Sequence, residues 1–259
     1  MIIRQFRELY DYREMFKNLV AKDLRSRYKG SVLGFLWTFI NPLMMLIVYS
    51  IVFSFVMRAN IENYSMFLFV GLLPWNYFQG SITMGNFSIV GNANLINKIY
   101  FPRAILPLAA VASNLVNYFL SLVIMVPALL FFDIKLTIAI VAFPVVLIVQ
   151  TLFVTALTLL VAAANVKFRD LQHITGVLLM AWFFLTPVLF PSSMVPDKIK
   201  PYFALNVMSP VIEAYRDIFF YGHFPDFALL GKLALLFFLM LLLSYVLFNH
   251  LQKNFAEEL

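Results

Sequence analysis

Six stretches of this chain stay apolar for about the thickness of a bilayer: residues 31–57, 64–87, 104–132, 136–164, 174–191 and 228–249. A helix needs about 20 apolar residues to cross the hydrocarbon. Membrane β-strands alternate over only about 10 residues, so these runs are too long for a barrel. Lipid leaves no partner for an open backbone, and helices are the remaining spanning element. The pattern predicts an all-α membrane protein with six transmembrane helices. None of the six stretches holds an Asp or Glu, although the chain carries 13. Ion-coupled transporters keep ionisable groups at membrane depth as relays or cation sites. A chain that moves something without them draws its energy from outside the membrane core.

The segments around the spans have patterns of their own. In residues 5–28, Leu9, Tyr12, Phe16, Leu19, Val20 and Leu24 share one helical face, with Arg7, Asp11, Glu14, Asn18, Lys22 and Arg25 opposite. That is an amphipathic interfacial helix lying in the membrane surface. After the second span, residues 92–107 open on Asn residues suited to a cap. Apolar positions Leu95, Ile96, Ile99 and Tyr100 follow, and Pro102 ends the run. This predicts a short cytoplasmic helix over 92–101, which serves either as a docking element for a soluble partner or as a connector on the surface. The stretch 187–226 is apolar yet punctuated by six prolines. Ser209-Pro210 reads as a helix start and Gly222 as a stop. The helix between them is too short to span, so residues 192–221 are expected to form short re-entrant helices before the last span.

Composition agrees: 63% of the residues are hydrophobic and 12% are charged. The net charge of +6 gathers at membrane edges, so no nucleic acid is expected as a partner. Arg4, Arg7, Arg13, Lys17, Lys22, Arg25, Arg27 and Lys29 precede the first span. With both termini cytoplasmic, Lys98, Arg103, Lys167, Arg169 and Lys253 join them inside. Arg58, Lys135, Lys198, Lys200, Arg216 and Lys232 are left outside, which follows the positive-inside rule. The first 30 residues lack the apolar core of a cleavable signal. There is no cysteine, and His173, His223 and His250 are scattered, so no metal and no cofactor are expected.

Catalytic and nucleotide-binding motifs are missing. No GxxxxGK[ST] loop, dinucleotide fingerprint or HExxH is present. Asp197, Glu213 and Asp217 are the acids near an outer-face site, which disfavours an enzyme. Phe35, Trp37, Phe39, Trp75, Tyr77 and Phe78 cluster in the first two spans. They are either ordinary lipid-facing aromatics or the lining of a path along which sugar faces slide. Asn41, Asn76, Gln79, Asn114, Asn117 and Gln150 are polar positions within spans. They supply hydrogen bonds either to a substrate or between helices. Glu213 and Arg216 are three apart and can pair on one face, while Arg216 can instead hold a lipid diphosphate.

Several segments together carry a family resemblance. KDLRSRYKGSVLGFLWTFINPL (22–43), GLLPWNYFQGS (71–81), NANLINKIYFPRAILPLA (92–109), NVKFRDLQHI (165–174), TPVLFPSSMVP (186–196) and NVMSPVIEAYRDIFF (206–220) resemble the permeases of type-2 ABC exporters for polysaccharides and polyol phosphates. The match runs in order from about residue 15 to the end, and is nearest to the O-antigen and teichoic-acid exporters. The resemblance implies one transmembrane domain over 1–259. It implies a second copy of the chain, two copies of a separate P-loop ATPase, and a lipid-linked polysaccharide substrate in the bacterial cytoplasmic membrane. The helix at 92–101 would then be the coupling helix, with Asn94, Leu95, Asn97, Lys98, Ile99, Tyr100 and Arg103 facing the ATPase. The helix at 5–28 would flank the cytoplasmic entrance. The outer re-entrant region would carry Glu213, Arg216 and Asp217. An ion-coupled transporter or a lipid flippase without an ATPase is the competing reading.

With no nucleotide loop of its own, the purified chain is expected to hydrolyse no ATP. Phosphate release assayed on the chain alone checks this, and sustained turnover would refute an external power source.

Overall fold

A computed structural model of the chain describes residues 10–27, 29–52, 62–198 and 200–259. Among the described residues every regular element is helical. They are α1 (Arg13–Ser26), α2 (Trp37–Ile51), α3 (Tyr64–Ser88), α4 (Ala93–Ile96), α5 (Ile105–Phe131) and α6 (Phe143–Lys167). Next come α7 (Leu171–Leu185), α8 (Lys200–Ala204), α9 (Met208–Arg216), α10 (Phe227–Leu251) and α11 (Phe255–Glu258).

Four helical stretches are long and apolar enough to cross a membrane: Gly34–Ile51, Ile105–Phe131, Ile138–Lys167 and Phe227–Asn254. The predicted spans at 104–132, 136–164 and 228–249 fall on the last three within a few residues. The far end of the span predicted at 31–57 lies outside the described residues, as does the start of the helix predicted at 5–28. The other two predicted spans depart from the simple pattern. Helix α3 has 25 residues, but Asn76, Gln79 and Asn86 make it more polar. Helix α7 is apolar, but stops after 15 residues. Thr186 then turns extended, at φ −102° and ψ 137°.

Helix α3 is the centre of the bundle. Eighteen of its 25 residues are buried, and it packs on α5, α6, α9, α2 and α7. The most extensive pairing elsewhere is α6 against α10. Lipid is as apolar as leucine, so helices here gain little from burying carbon and associate through close fit and cross-helix hydrogen bonds. The fit comes from aromatic rings. Phe78 of α3 stacks on Phe153 of α6 at 5.7 Å, and Phe153 stacks on Phe237 of α10 at 4.5 Å. Trp182 of α7 meets both Phe78 and Phe153 edge-on. Offset and edge-to-face pairs of this kind add to simple packing.

A second apolar cluster closes one end of the bundle. It gathers Leu19 of α1, Ile96 of α4, Phe101, the first turns of α5, the last turns of α6, Phe248 of α10 and Phe255 of α11. The amphipathic pattern of α1 is realised here: Tyr12, Met15, Phe16, Leu19 and Val20 pack on this cluster. Asp11, Glu14, Asn18, Lys22 and Arg25 face away, exposed.

Two local expectations need correction. The helix predicted over 92–101 is a 3₁₀ turn at Val90–Asn92 followed by only four α-helical residues, Ala93–Ile96. Asn97, a weak helix former, begins a turn that lets both Ile96 and Phe101 reach the apolar cluster; a continuous helix would point one of them outward. Ser209 is not the cap of α9. The helix starts at Met208, whose N–H donates to Asn206 Oδ1 at 3.0 Å, so the cap comes from Asn206. Gly222 does end that region, at φ 73°, after a π-helical turn over Asp217–Tyr221. The left-handed conformation suits glycine, and a Cβ there would meet Thr137 Cγ2 at 2.7 Å.

Phe153→Ala is expected to cost about 3–5 kcal/mol, as for other buried aromatics. Phe131→Ala, at a side chain 84% exposed, is expected to change little. Thermal unfolding midpoints in detergent separate the two; equal midpoints would remove the aromatic stack from the account of the fold.

Candidate functional site

At the end of the bundle opposite α4, Arg216 is buried, with 2% of its surface exposed. Its Nη1 and Nη2 donate to the carbonyls of Pro187 and Val188, each at 2.5 Å. Its Nε donates to the carbonyl of Phe67 at 3.3 Å, and the guanidinium lies 3.6 Å from the centre of the Phe67 ring. The cause is local. Once the chain leaves α7 at Thr186, the carbonyls of residues 187 and 188 have no helical amide to accept from. A planar fork fits two adjacent carbonyls where a single ammonium would not. Gly71 makes room, since a Cβ there would lie 2.8 Å from Arg216 Nη2.

This replaces the pairing expected for Glu213 and Arg216, which the structure does not form. Glu213 instead accepts from Ser192 Oγ and so fastens the 3₁₀ turn Ser192–Met194 to α9. With its donors aimed at carbonyls and its surface covered, Arg216 is not open to a lipid diphosphate in this conformation. Asp217 begins the π turn, and its carbonyl accepts from His223 N–H at 2.7 Å. Asn206 is a node that sequence reasoning missed. Its Oδ1 accepts from Trp182 Nε1 at 2.8 Å, and its Nδ2 donates to Leu185 O and Thr186 Oγ1 at 2.9 Å each. The signal available in the sequence was an amide two residues ahead of a short amphipathic helix.

The six candidate path aromatics separate into two sets. Trp75, Tyr77 and Phe78 are at most 2% exposed. Trp75 packs on Phe78 and Phe183, and the Tyr77 hydroxyl donates to Thr151 Oγ1 at 3.2 Å. Trp75 and Phe78 are therefore core residues and line no surface in this conformation. Phe35 is 54% exposed and meets Phe39 edge-on at 5.7 Å. Trp37 is half-buried, with its Nε1 donating to Ser31 Oγ at 2.9 Å.

The span amides separate as well. Gln150 is fully buried; it donates to Pro74 O at 2.8 Å and accepts from Tyr215 Oη at 2.7 Å, joining α3, α6 and α9. Asn114 donates to Ala110 O at 2.8 Å and accepts from Arg27 at 2.9 Å. Asn41, Asn76 and Gln79 are exposed, and so is Thr83. On α3, Asn76, Gln79, Thr83 and Phe87 follow one another at helical spacing, forming a single exposed stripe. On any helix that crosses a bilayer, uncharged polar side chains exposed at mid-length belong against water, a substrate or another protein rather than lipid.

At the α4 end, the predicted coupling residues form a rim. Asn94, Asn97, Lys98, Ile99 and Tyr100 are exposed, Tyr100 by 84%. Leu95 packs on the second apolar cluster, so it anchors the rim. Arg103 faces inward too, donating to Gln252 O and lying 5.9 Å from the Phe255 ring centre. Tyr12 Oη of α1 donates to Tyr100 O at 3.1 Å. The rim is thus held by α1 on one side and by the chain's last turns on the other.

Among the described residues no group of three or more His, Asp or Glu gathers where a metal ion could sit. What the arrangement provides is a central helix, α3, with an exposed, uncharged polar stripe, and an exposed rim at one end of the bundle. With four helical stretches long and apolar enough to cross a bilayer, these features define a multi-pass membrane protein. The chain belongs to the ABC-2 type transporter family, which matches residues 14–220. It is 42% identical to the O-antigen export system permease protein RfbA of Myxococcus xanthus, over 100% of both chains. It is 32% identical to the protein of the same name in Klebsiella pneumoniae, over 96% of this chain and 98% of that one. The polysialic acid transport protein KpsM of Escherichia coli is 22% identical over 89% and 91%.

Arg216→Met is expected to strand the carbonyls of residues 187 and 188, at about 1–3 kcal/mol for each buried unpaired group. Adding Glu213→Ala is expected to lower stability further, because the two side chains serve different partners. Unfolding midpoints of the single and double variants test this; recovery in the double variant would restore a direct pair.

Proposed function

We propose that this chain is the membrane permease of an ATP-driven exporter that carries a lipid-linked polysaccharide of the O-antigen or teichoic-acid kind across the bacterial cytoplasmic membrane. The observation that carries this reading is the exposed stripe of Asn76, Gln79 and Thr83 on α3, with Asn41 exposed on α2. Amides and hydroxyls without charge suit the hydroxyl groups of a glycan, and they offer nothing to hold a coupling ion. Full-length similarity to an O-antigen export permease supports the same substrate class.

In this reading the whole chain is one transmembrane domain with six spans. Helix α3 crosses despite its polar stripe because the stripe faces a path. Helix α7 crosses with the extended residues that follow it, whose carbonyls Arg216 satisfies. Both termini and the rim at α4 lie in the cytoplasm, and α8 and α9 form the outer re-entrant region. A single copy leaves the stripe with no opposite wall, whereas a twofold dimer places two stripes across an axis. Two copies of a separate P-loop ATPase dock on the rims of the two permeases. The competing reading, an ion-coupled transporter or flippase working alone, finds no support at membrane depth. Helices α2, α3, α5, α6, α7 and α10 contain no Asp or Glu.

Cells lacking the chain are expected to retain the lipid-linked polymer inside and to lose it from the surface, with restoration by the intact chain. Unchanged surface polymer would end this assignment. Ile99→Asp combined with Tyr100→Asp is expected to abolish co-purification of the ATPase while leaving the thermal midpoint unaltered, since both side chains are exposed. Normal ATPase capture by that variant would make the rim a plain connector.

A further inference from the structure

A cavity of about 200 Å³ lies between α2, α3 and α5. Its walls come from one face of each helix. Thr38 and Asn41 line it from α2, Asn76 and Tyr77 from α3, and Asn117 and Ser121 from α5. The α2 and α5 pairs are three and four residues apart, and Leu73, three and four residues before Asn76 and Tyr77, also lines the space, so one face of each helix converges on it. Trp37 also lines it, as does Arg27, which is bonded to Asn114.

Arg27 is spent on Asn114, Asn76 on Met45 Sδ and Ser121 on the Asn117 carbonyl, but two side chains of the lining keep polar atoms unpaired. Thr38 is 4% exposed, and its hydroxyl has no partner. Both the Nδ2 and Oδ1 of Asn117 are buried without a partner, and no other described amide is left so at both atoms. Asn86 and Asn165 each leave only the oxygen unpaired. Buried polar groups in native proteins find partners, and a lasting exception points to a water, ion or ligand. The space would hold about seven waters at their liquid volume of roughly 30 Å³ each. It lies below the range of about 300–1,000 Å³ typical for drug-sized ligands. That is a fit for one sugar ring. None of the described lining residues is acidic, so no metal or amine is called for. An amide presents a donor and an acceptor side by side, as two neighbouring hydroxyls require. With the Trp37 N–H engaged by Ser31, the ring faces remain as an apolar wall.

We propose that this cavity is a side pocket of the export path that seats one neutral sugar unit of the passing polymer and holds it between strokes of the ATPase. This rests on the exporter reading above. Asn41 and Asn76 are shared between the pocket and the exposed polar surface, so a unit moving along α3 reaches the pocket without crossing lipid.

The chain has no cysteine of its own, so single cysteines report directly. Asn117→Cys and Thr38→Cys probe the pocket, and Thr83→Cys, outside it, probes the stripe. Each full exporter, with its ATPase, is placed in membrane vesicles from cells that make the polymer and from cells blocked in its synthesis. Transport is stalled with a non-hydrolysable ATP analogue, and a small water-soluble thiol reagent is added. The expected result is reaction at both pocket positions in the empty exporter, slowed at least tenfold when polymer is stalled. Protection at Thr83→Cys alone overturns the pocket and leaves the path standing; the cavity then holds only water. Failure of both pocket cysteines to react in the empty exporter also overturns it. No protection at any of the three positions, in vesicles shown to carry polymer, overturns the pocket and the path together.

Discussion

At membrane depth there is no water to satisfy a polar group, so every amide, hydroxyl and cation must find its partner in protein or stand where water or cargo reaches it. That constraint organises this molecule. Gln150 is spent on joining α3, α6 and α9. Arg216 is spent on two carbonyls that α7 leaves open. Asn206 is spent on fastening the end of α7 to the start of α9. Asn41, Asn76, Gln79 and Thr83 stand exposed at the surface, and Thr38 and Asn117 keep unpaired polar atoms in the cavity. Asparagine and glutamine occur in both sets, and burial between helices or exposure separates glue from lining.

Much of the fold was legible along the chain because span length and helical periodicity are local properties. The boundaries of α5, α6 and α10, the amphipathic face of α1 and the stop at Gly222 all follow from residues close in sequence. The misses share one physical origin: each depended on a partner far away along the chain. The helix predicted at 92–101 ends at Ile96 because Phe101 has to reach a cluster built from α6, α10 and α11. Glu213 and Arg216 have the right spacing to pair, but Ser192 and the 187–188 turn compete and win. Trp75 and Phe78 look like candidates for a lining until Phe153, Trp182 and Phe183 cover them. The sequence named the span amides as a group and could not divide them, since the division depends on which helix faces which.

The two apolar clusters give the bundle two different kinds of end. One is built on stacked rings within the spans. The other gathers the first surface helix, the short rim and the last turns of the chain. The rim's exposed residues are few, but its buried ones, Leu95, Ile96 and Phe101, reach into packing shared by α1, α5, α6 and α10. A push on Ile99 or Tyr100 therefore has a direct mechanical route into four helices.

The grip of Arg216 has a further consequence for how the far end moves. A hinge needs a joint whose bonds can be given up singly, and here one side chain bonds carbonyls at residues 67, 187 and 188 together. The first turns of α3, the residues after α7 and the end of α9 are riveted into one piece. That end can tilt or slide only as a block, so slack for opening has to be found at the edges of the block rather than inside it.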